Sequence, residues 1–364
     1  MLDFSQEQWQ SVKEISKRWW QGDLERPIIQ VRLEGKKPKR PKPELPLYVF
    51  DSFHDLAIPA ETIVDRLDYH LQSTLYMGDA FPQYWPNFGP GVMAAILGAS
   101  LQNGLGTVWF HPPDEREIGE IYFSIDTNNV WYQRILSLIQ AASKRWQGTV
   151  QIGMTDLGGN LDILSAFRPG EKLIYDLYDQ PQQVERLLEK AHALWWECFE
   201  QMHALTTPDN PGYSCWTPLY SEQSYYMLQC DFSYMLNPHL FDSFVKPELV
   251  ASANKLGNAF YHLDGPGQLP HLDSILGIKA IKGVQWIPGA GQPDVSQWPW
   301  VYQKILGANK LTQIFNHQCH DDLDFLDQLA DQLGTLKNVA YIYQGHISQE
   351  KKMEKLLLKY GALK

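Results

Sequence analysis

Cysteine is scarce in this chain. Cys198, Cys215, Cys230 and Cys319 are the four in 364 residues. Their spacing matches no zinc ribbon and no disulfide framework, and so few thiols suit a reducing compartment. A basic excess is missing as well. Lys and Arg number 31 against 42 Asp and Glu, a net charge of −11. That argues against nucleic acid as the main partner, because no surplus of cations exists to neutralise phosphates. No uncharged apolar run approaches the ~20 residues a membrane span needs. The opening stretch MLDFSQEQWQSVKEISKRWW carries charges throughout and has no apolar centre, so it does not read as a secretory signal. Together these absences predict a cytoplasmic protein. Nor does a G-x-G-x-x-G or G-x-x-x-x-G-K-[ST] follow any strand-like run, which leaves a nucleotide-binding α/β architecture unsupported.

Aromatic residues, by contrast, are plentiful at 13%, with 13 Trp. Such side chains fill cores and line pockets equally well. From Ser5 to about Trp20 the pattern is an amphipathic helix, and PIIQVRL (27–33) reads as a strand. The basic, proline-rich EGKKPKRPKPELP that follows reads as a solvated loop, or as a contact surface for an acidic partner through Lys36 to Lys42. A helical pattern returns over 60–74. It is interrupted by MGDAFPQYWPNFGPG (77–91), whose aromatics are costly for a mere connector.

Beyond this, short β-rich runs lie at 107–110, 149–154, 258–263, 280–286, 311–315 and 339–343, with helical segments between them. The clearest helix spans 181–205, with Val184, Leu187, Leu188, Ala191, Leu194, Trp195, Cys198 and Met202 at three- and four-residue spacing. Another opens at Asn237-Pro238, and Pro247 predicts a kink in it. Strand–helix alternation without an obvious boundary predicts an α/β protein, a single (β/α)8 TIM barrel over 1–364 with 1–25 as a helical extension packed on it. The site is then expected where the strands end.

Several strand-end residues carry chemistry. In Tyr261-His262-Leu263-Asp264-Gly265, His262 and Asp264 are two apart on a strand and share a face. They suit a divalent metal or an acid–base pair, or else ordinary loop hydrogen bonds. Thr155-Asp156-Leu157-Gly158-Gly159 ends another run; Asp156 is a candidate acid or base, or a helix cap. The backbone N–H groups at Gly158 and Gly159 could receive an anion. The stretch WTPLYSEQSYYMLQCD (216–231) offers Trp216, Tyr220 and Tyr226 as pocket walls and Asp231 as a second carboxyl. Cys230 reads more readily as a buried inert thiol than as a nucleophile. Gln285 and Trp286 end the run after His262, and Asn87 lies in the aromatic loop. Asn316, His317, Cys319 and His320 stand in one loop, and Gln344 and His346 end the last run.

Taken in order, these stretches resemble the uroporphyrinogen decarboxylase superfamily, which includes the decarboxylase itself and the methylcobamide:coenzyme M methyltransferases. The resemblance runs from about Pro27 to the end. It is carried by Arg26-Pro27 before a strand, by Thr155 to Gly159 followed by Arg168-Pro169-Gly170, and by Leu173 to Leu188. Cys230-Asp231 leading to Asn237-Pro238 and Val245-Lys246-Pro247 adds to it. Tyr261 to Gly265 stands where the family has a His-x-Cys-Gly motif. Against the decarboxylase, Arg32-Leu33-Glu34-Gly35 keeps an arginine but puts an acid beside it, a poor setting for a polycarboxylate. Against the thiol-specific methyltransferases, Asp264 replaces the first cysteine ligand and YIYQGHIS supplies no second one. A carboxylate–imidazole set is a harder site than a thiolate set.

The resemblance therefore implies an enzyme most like the corrinoid-linked methyltransferase branch, acting on a small substrate in a barrel-mouth pocket. Zinc or another divalent ion would be held by His262 and Asp264, with His346 as third ligand and Gln344 and Cys319 as rivals. Asp156 and Asp231 would orient substrate or move protons. Asn87, Trp216, Tyr220, Tyr226, Gln285 and Trp286 would bind substrate, and a corrinoid protein would be the partner. A tetrapyrrole decarboxylase, a sugar-active barrel using Asp156 and Asp264, and a non-catalytic barrel docking a partner through its basic loop are the rival readings.

Overall fold

In the computed structural model, which describes residues 2–206, 209–316 and 325–363, the runs of β-branched and aromatic residues form the strands and the amphipathic stretches cover them. The strands are β1 (Ile28–Glu34), β2 (Thr74–Gly78), β3 (Gln83–Tyr84), β4 (Ser100–Asn103), β5 (Val108–His111), β6 (Gln151–Ile152), β7 (Tyr225–Gln229), β8 (Asn258–Asp264), β9 (Ile281–Ile287), β10 (Leu311–Phe315) and β11 (Val339–His346). Thirteen α-helices accompany them among the described residues. The main sheet has the order β2-β1-β11-β10-β9-β8-β7 and is parallel except for β2. β3 and β6 form a separate parallel pair, and β4 and β5 an antiparallel hairpin. This mostly parallel sheet with its helices is a TIM-barrel-like fold.

The ladder is not closed, as a complete (β/α)8 barrel would require. β1 has β11 on one edge. Antiparallel β2 occupies the other, from Gln30 opposite Gly78 to Glu34 opposite Thr74. A parallel neighbour has no edge left to join. Side chains span the two gaps instead. Arg32 donates to the Phe81 carbonyl at 3.2 Å. At the other gap Gln229 donates to Asp156 at 3.2 Å, and the Leu157 N–H donates to the Tyr226 hydroxyl at 2.8 Å.

The helix at 6–20 begins with a reciprocal cap between Ser5 and Gln8 and sets Trp19 and Trp20 on Phe260 of β8, ring centres 6.0 and 5.7 Å apart. The helix Pro181–Ala204 buries the stripe its periodicity predicts, from Val184 to Met202; each Leu or Val fully removed from water there stabilises by about 1.5–3 kcal/mol. Three expectations shift. The run at 107–110 belongs to the β4–β5 hairpin, outside the main sheet. The stretch 216–231, read as a source of pocket walls, contains a buried strand, β7, and Cys230 and Asp231 follow its end. Pro247 does more than kink: one helix stops at Phe244 and the next starts at Lys246, as a missing N–H dictates.

Strands of a parallel sheet covered on both sides are ordinarily apolar throughout. Here six of them carry a buried glutamine: Gln30, Gln83, Gln151, Gln229, Gln285 and Gln313. Three of these hold the segment 212–218. Gln30 donates to the Pro218 carbonyl at 2.6 Å, Gln83 to that of Cys215, and Gln151 to that of Gly212 at 2.8 Å. The segment therefore crosses from β6 to β1, and its Trp216 reaches the functional cluster.

Candidate metal and acid–base site

Strand register builds the site. Gln229, His262, Gln285 and Gln313 stand side by side across β7, β8, β9 and β10. Two residues further on, Asp264 repeats the face of His262, and Asp231 does the same beyond Gln229. The result is a polar row with two carboxyls above it at the strand ends. One potential ligand atom each from Asp231, His262 and Asp264 lies within 4.8 Å of the others. His262 Nε2 is 3.8 Å from an Asp264 oxygen.

The row fixes the imidazole. Gln285 gives its amide N–H to Gln313 Oε1 at 3.2 Å, which turns Gln285 Oε1 toward His262 Nδ1 at 2.5 Å. Nδ1 is therefore the protonated nitrogen, and Nε2 presents a lone pair to the carboxyls. Trp216 meets the ring edge-on at 5.0 Å and 90°. Burial pushes the His262 pKa below its ordinary value, against the pull of Asp264 and the Gln285 bond, so the ring is neutral at physiological pH.

Asp231, Asp162 and Asp156 behave in the opposite sense. Asp231 touches solvent on one side and is crowded by protein on the others. Crowding out of water raises its pKa well above the usual range, and the charges of Asp162, Asp264 and Asp156 add to this. Asp162 is half-buried beside it, accepts from the Phe232 N–H at 2.8 Å, and is itself raised by crowding out of water. Asp156 is pushed up to about 7 by burial, opposed by bonds from the Gly158 and Gly91 N–H groups and from Gln229. The mouth is thus a proton-holding acidic patch facing a neutral imidazole.

The other candidate residues lie elsewhere. His346 is exposed at the end of β11, its Nδ1 bonded to Ser348, and it is not part of the cluster. Gln344 is exposed on the same strand. Asn87 accepts from the Gly89 N–H of its own loop and donates to the Val49 carbonyl of a separate one. Tyr220 packs with Trp9 and Phe81 and donates to the Pro211 carbonyl. Tyr226 turns to the covering helix, against Trp195 and Phe199. Trp286 is buried against Trp298. Adjacent strand residues face opposite ways; Gln285 points at His262, which explains why Trp286 does not. The Cys230 thiol is buried and raised well above its usual range, by burial first and then by Asp162 and Asp231. His317, Cys319 and His320 lie outside the described residues. In the basic loop, Arg40 is tied to Asp65 and Asp68.

Two contributors were missed from sequence, Gln229 and Gln313. Glutamine inside an otherwise apolar strand was the available signal. Arg32 sits four strands along the sheet from His262, crowded by protein, with its Nε unpartnered and its pKa lowered by burial.

No protein-family model matches this chain, and no curated protein matches it. Among solved structures it is similar to a methyltransferase from Methanosarcina mazei. The TM-score is 0.55 at 11% identity, over 92% of each chain. At that identity the likeness speaks for the fold. No described helix is long and apolar enough to cross a membrane.

Proposed function

We propose that the chain is a cytoplasmic enzyme of methyltransferase type, of the uroporphyrinogen decarboxylase superfamily and nearest its corrinoid-linked branch. The observation that carries the reading is the cluster of Asp231, His262 and Asp264 at the strand ends, with a neutral imidazole whose free nitrogen is set by Gln285. The fold it shares with a methyltransferase supports the same reading.

The donor set fits a divalent ion. One imidazole and two carboxylates suit zinc or a somewhat harder cation, and the lone pair on Nε2 is already turned toward the carboxyls. In this reading Asp231 takes the ligand place that the sequence had offered to His346. A bound ion would supply Lewis acidity to a substrate heteroatom, and a corrinoid on a partner protein would carry the methyl group. The chain's own residues do the rest. Gln285 and Gln313 hold the imidazole. Trp216 walls the pocket beneath it. Asp231 takes up a proton more readily than a free carboxyl, and an arriving cation would displace it. In this reading Arg32, four strands along the sheet, would orient an anionic end of a small substrate.

Metal content of the untagged protein tests this, alongside turnover of methylcobalamin with candidate acceptors. Wild type should hold about one divalent ion per chain. His262→Ala should lose it, Asp231→Asn should bind it more weakly, and His346→Ala should keep it. Equal metal in wild type and His262→Ala, or none in either, would overturn the metal assignment.

A further inference from the structure

The arm that leaves β1 is basic and held in place. Over 36–46, Lys36, Lys37, Lys39, Arg40 and Lys42 stand against one acid, Glu44. Pro38, Pro41, Pro43 and Pro46 fix much of its backbone. Arg40 pins one part, donating to both Asp65 carboxylate oxygens at 3.1 Å and to Asp68 at 3.2 Å. Arg66 pins another by donating to the Leu45 carbonyl at 2.9 Å. Lys37, Lys39 and Lys42 are exposed and form no ion pair among the described residues. In a chain of net charge −11, three unpaired cations are thus displayed on a backbone with little entropy left to lose.

The arm leads to an apolar surface. Val49 is 76% exposed. Ser52, three residues on, exchanges two bonds of 2.8 Å with Asn103, beside the tip of the β4–β5 hairpin. Leu105 at that tip is fully exposed between two glycines. The exposed Trp109 ring lies over Gly104, where a Cβ would come within 3.3 Å of it. Among the described residues β4 and β5 pair only with each other, so both outer edges are free. Such edges are ordinarily guarded by charged side chains. This hairpin has none, for no Asp, Glu, Lys or Arg occurs from Ala80 to Pro113. The acids that follow, from Asp114 to Glu117, leave from the base, where Ser100 pairs with His111, and not from the tip.

We propose that the arm and the hairpin tip dock the protein on an anionic lipid surface, with the lysines on the headgroups and Val49, Leu105 and Trp109 in the interfacial layer. Charge complementarity selects the surface, since each lysine beside anionic headgroups strengthens attachment. Trp109 has the apolar body and single donor that suit this layer. The shape of the tip selects lipid over an acidic protein: a protruding leucine needs a pocket on a protein, whereas lipid yields around it. Docking of this kind requires no spanning helix. The surface shares no residue with the metal cluster, so the two assignments stand or fall separately.

The test is flotation of the full chain with vesicles of phosphatidylcholine alone and of phosphatidylcholine mixed with phosphatidylserine, at low and high salt. The chain should float with the mixed vesicles, less so at high salt. Lys37→Gln, Lys39→Gln and Lys42→Gln together should weaken this about 100-fold, and Leu105→Ser about tenfold. Both changes are at solvated positions and should leave the melting temperature in place. No flotation with mixed vesicles, equal flotation with neutral ones, or undiminished flotation of either folded variant would overturn the proposal. Soluble polyglutamate that captures the chain whether or not Leu105 is present would make an acidic protein the occupant. Self-association without vesicles, abolished by Leu105→Ser, would make it a second copy. Either result also overturns the lipid assignment.

Discussion

His262 gives its Nδ1 proton to the side-chain oxygen of Gln285 at 2.5 Å, and Gln285 is oriented in turn by Gln313. This relay decides which ring nitrogen faces the acids. Gln285→Leu should leave a buried N–H without an acceptor, at a cost of about 1–3 kcal/mol. It should weaken metal binding by about 10–100-fold. Gln285→Glu restores an acceptor and should recover most of the affinity. Metal titration of the three proteins compares them directly. Equal affinity in Gln285→Leu would remove the relay from the account.

Asp156 makes stability depend on pH. Its carboxyl is raised from 3.8 to about 7, so the folded state holds this proton more tightly than the unfolded chain does. The stabilisation is complete below about pH 4 and is lost as the pH rises through about 7. Over that window wild type should lose on the order of 2–4 kcal/mol that Asp156→Asn, which cannot titrate, does not. Asp51 and Glu248 slope the same way but remain in both proteins. Urea melts at pH 5 and pH 8 give the difference, and parallel curves would contradict it.

Cys230 should be inert. Its thiol is buried and held far from the thiolate, and the thiolate is the reactive form. Alkylation of the native protein, followed by peptide mass mapping, should leave Cys230 unlabelled. Cys230→Ala should keep its metal. Rapid native labelling would reopen a nucleophilic role.

Tyr226 should separate structure from function. Tyr226→Phe removes the acceptor for the Leu157 N–H and should cost about 1 kcal/mol with metal content unchanged. Trp216→Ala, which frees one side of the imidazole, should weaken metal binding as well as stability. If the two variants behaved alike, the inward and outward faces of this region would be misassigned.

Much of this was readable from the chain. That His262 and Asp264 share a face is legible because a strand repeats every two residues, a purely local rule. Asp231 was picked as a carboxyl but not as their neighbour, since the alignment of β7 with β8 is a fact about two strands 30 residues apart. His346 looked equivalent to them in sequence. Its strand, however, lies beyond β9 and β10 in the sheet. Tyr226 and Trp286 were assigned to the pocket by their chemistry, and the pleat turned them outward. The open ladder had no local sign either: β2 follows a helix without a turn motif, and its pairing with β1 is set by packing.

The segment stitched across the interior by Gln30, Gln83 and Gln151 bears on how the chain reaches this state. Gln30 meets Pro218 across 188 positions, so the first strand waits for a partner made long after it. Closing so wide a loop costs entropy before any bond repays it. A chain interrupted before Gly212 would leave its earliest strands with polar side chains facing an empty middle.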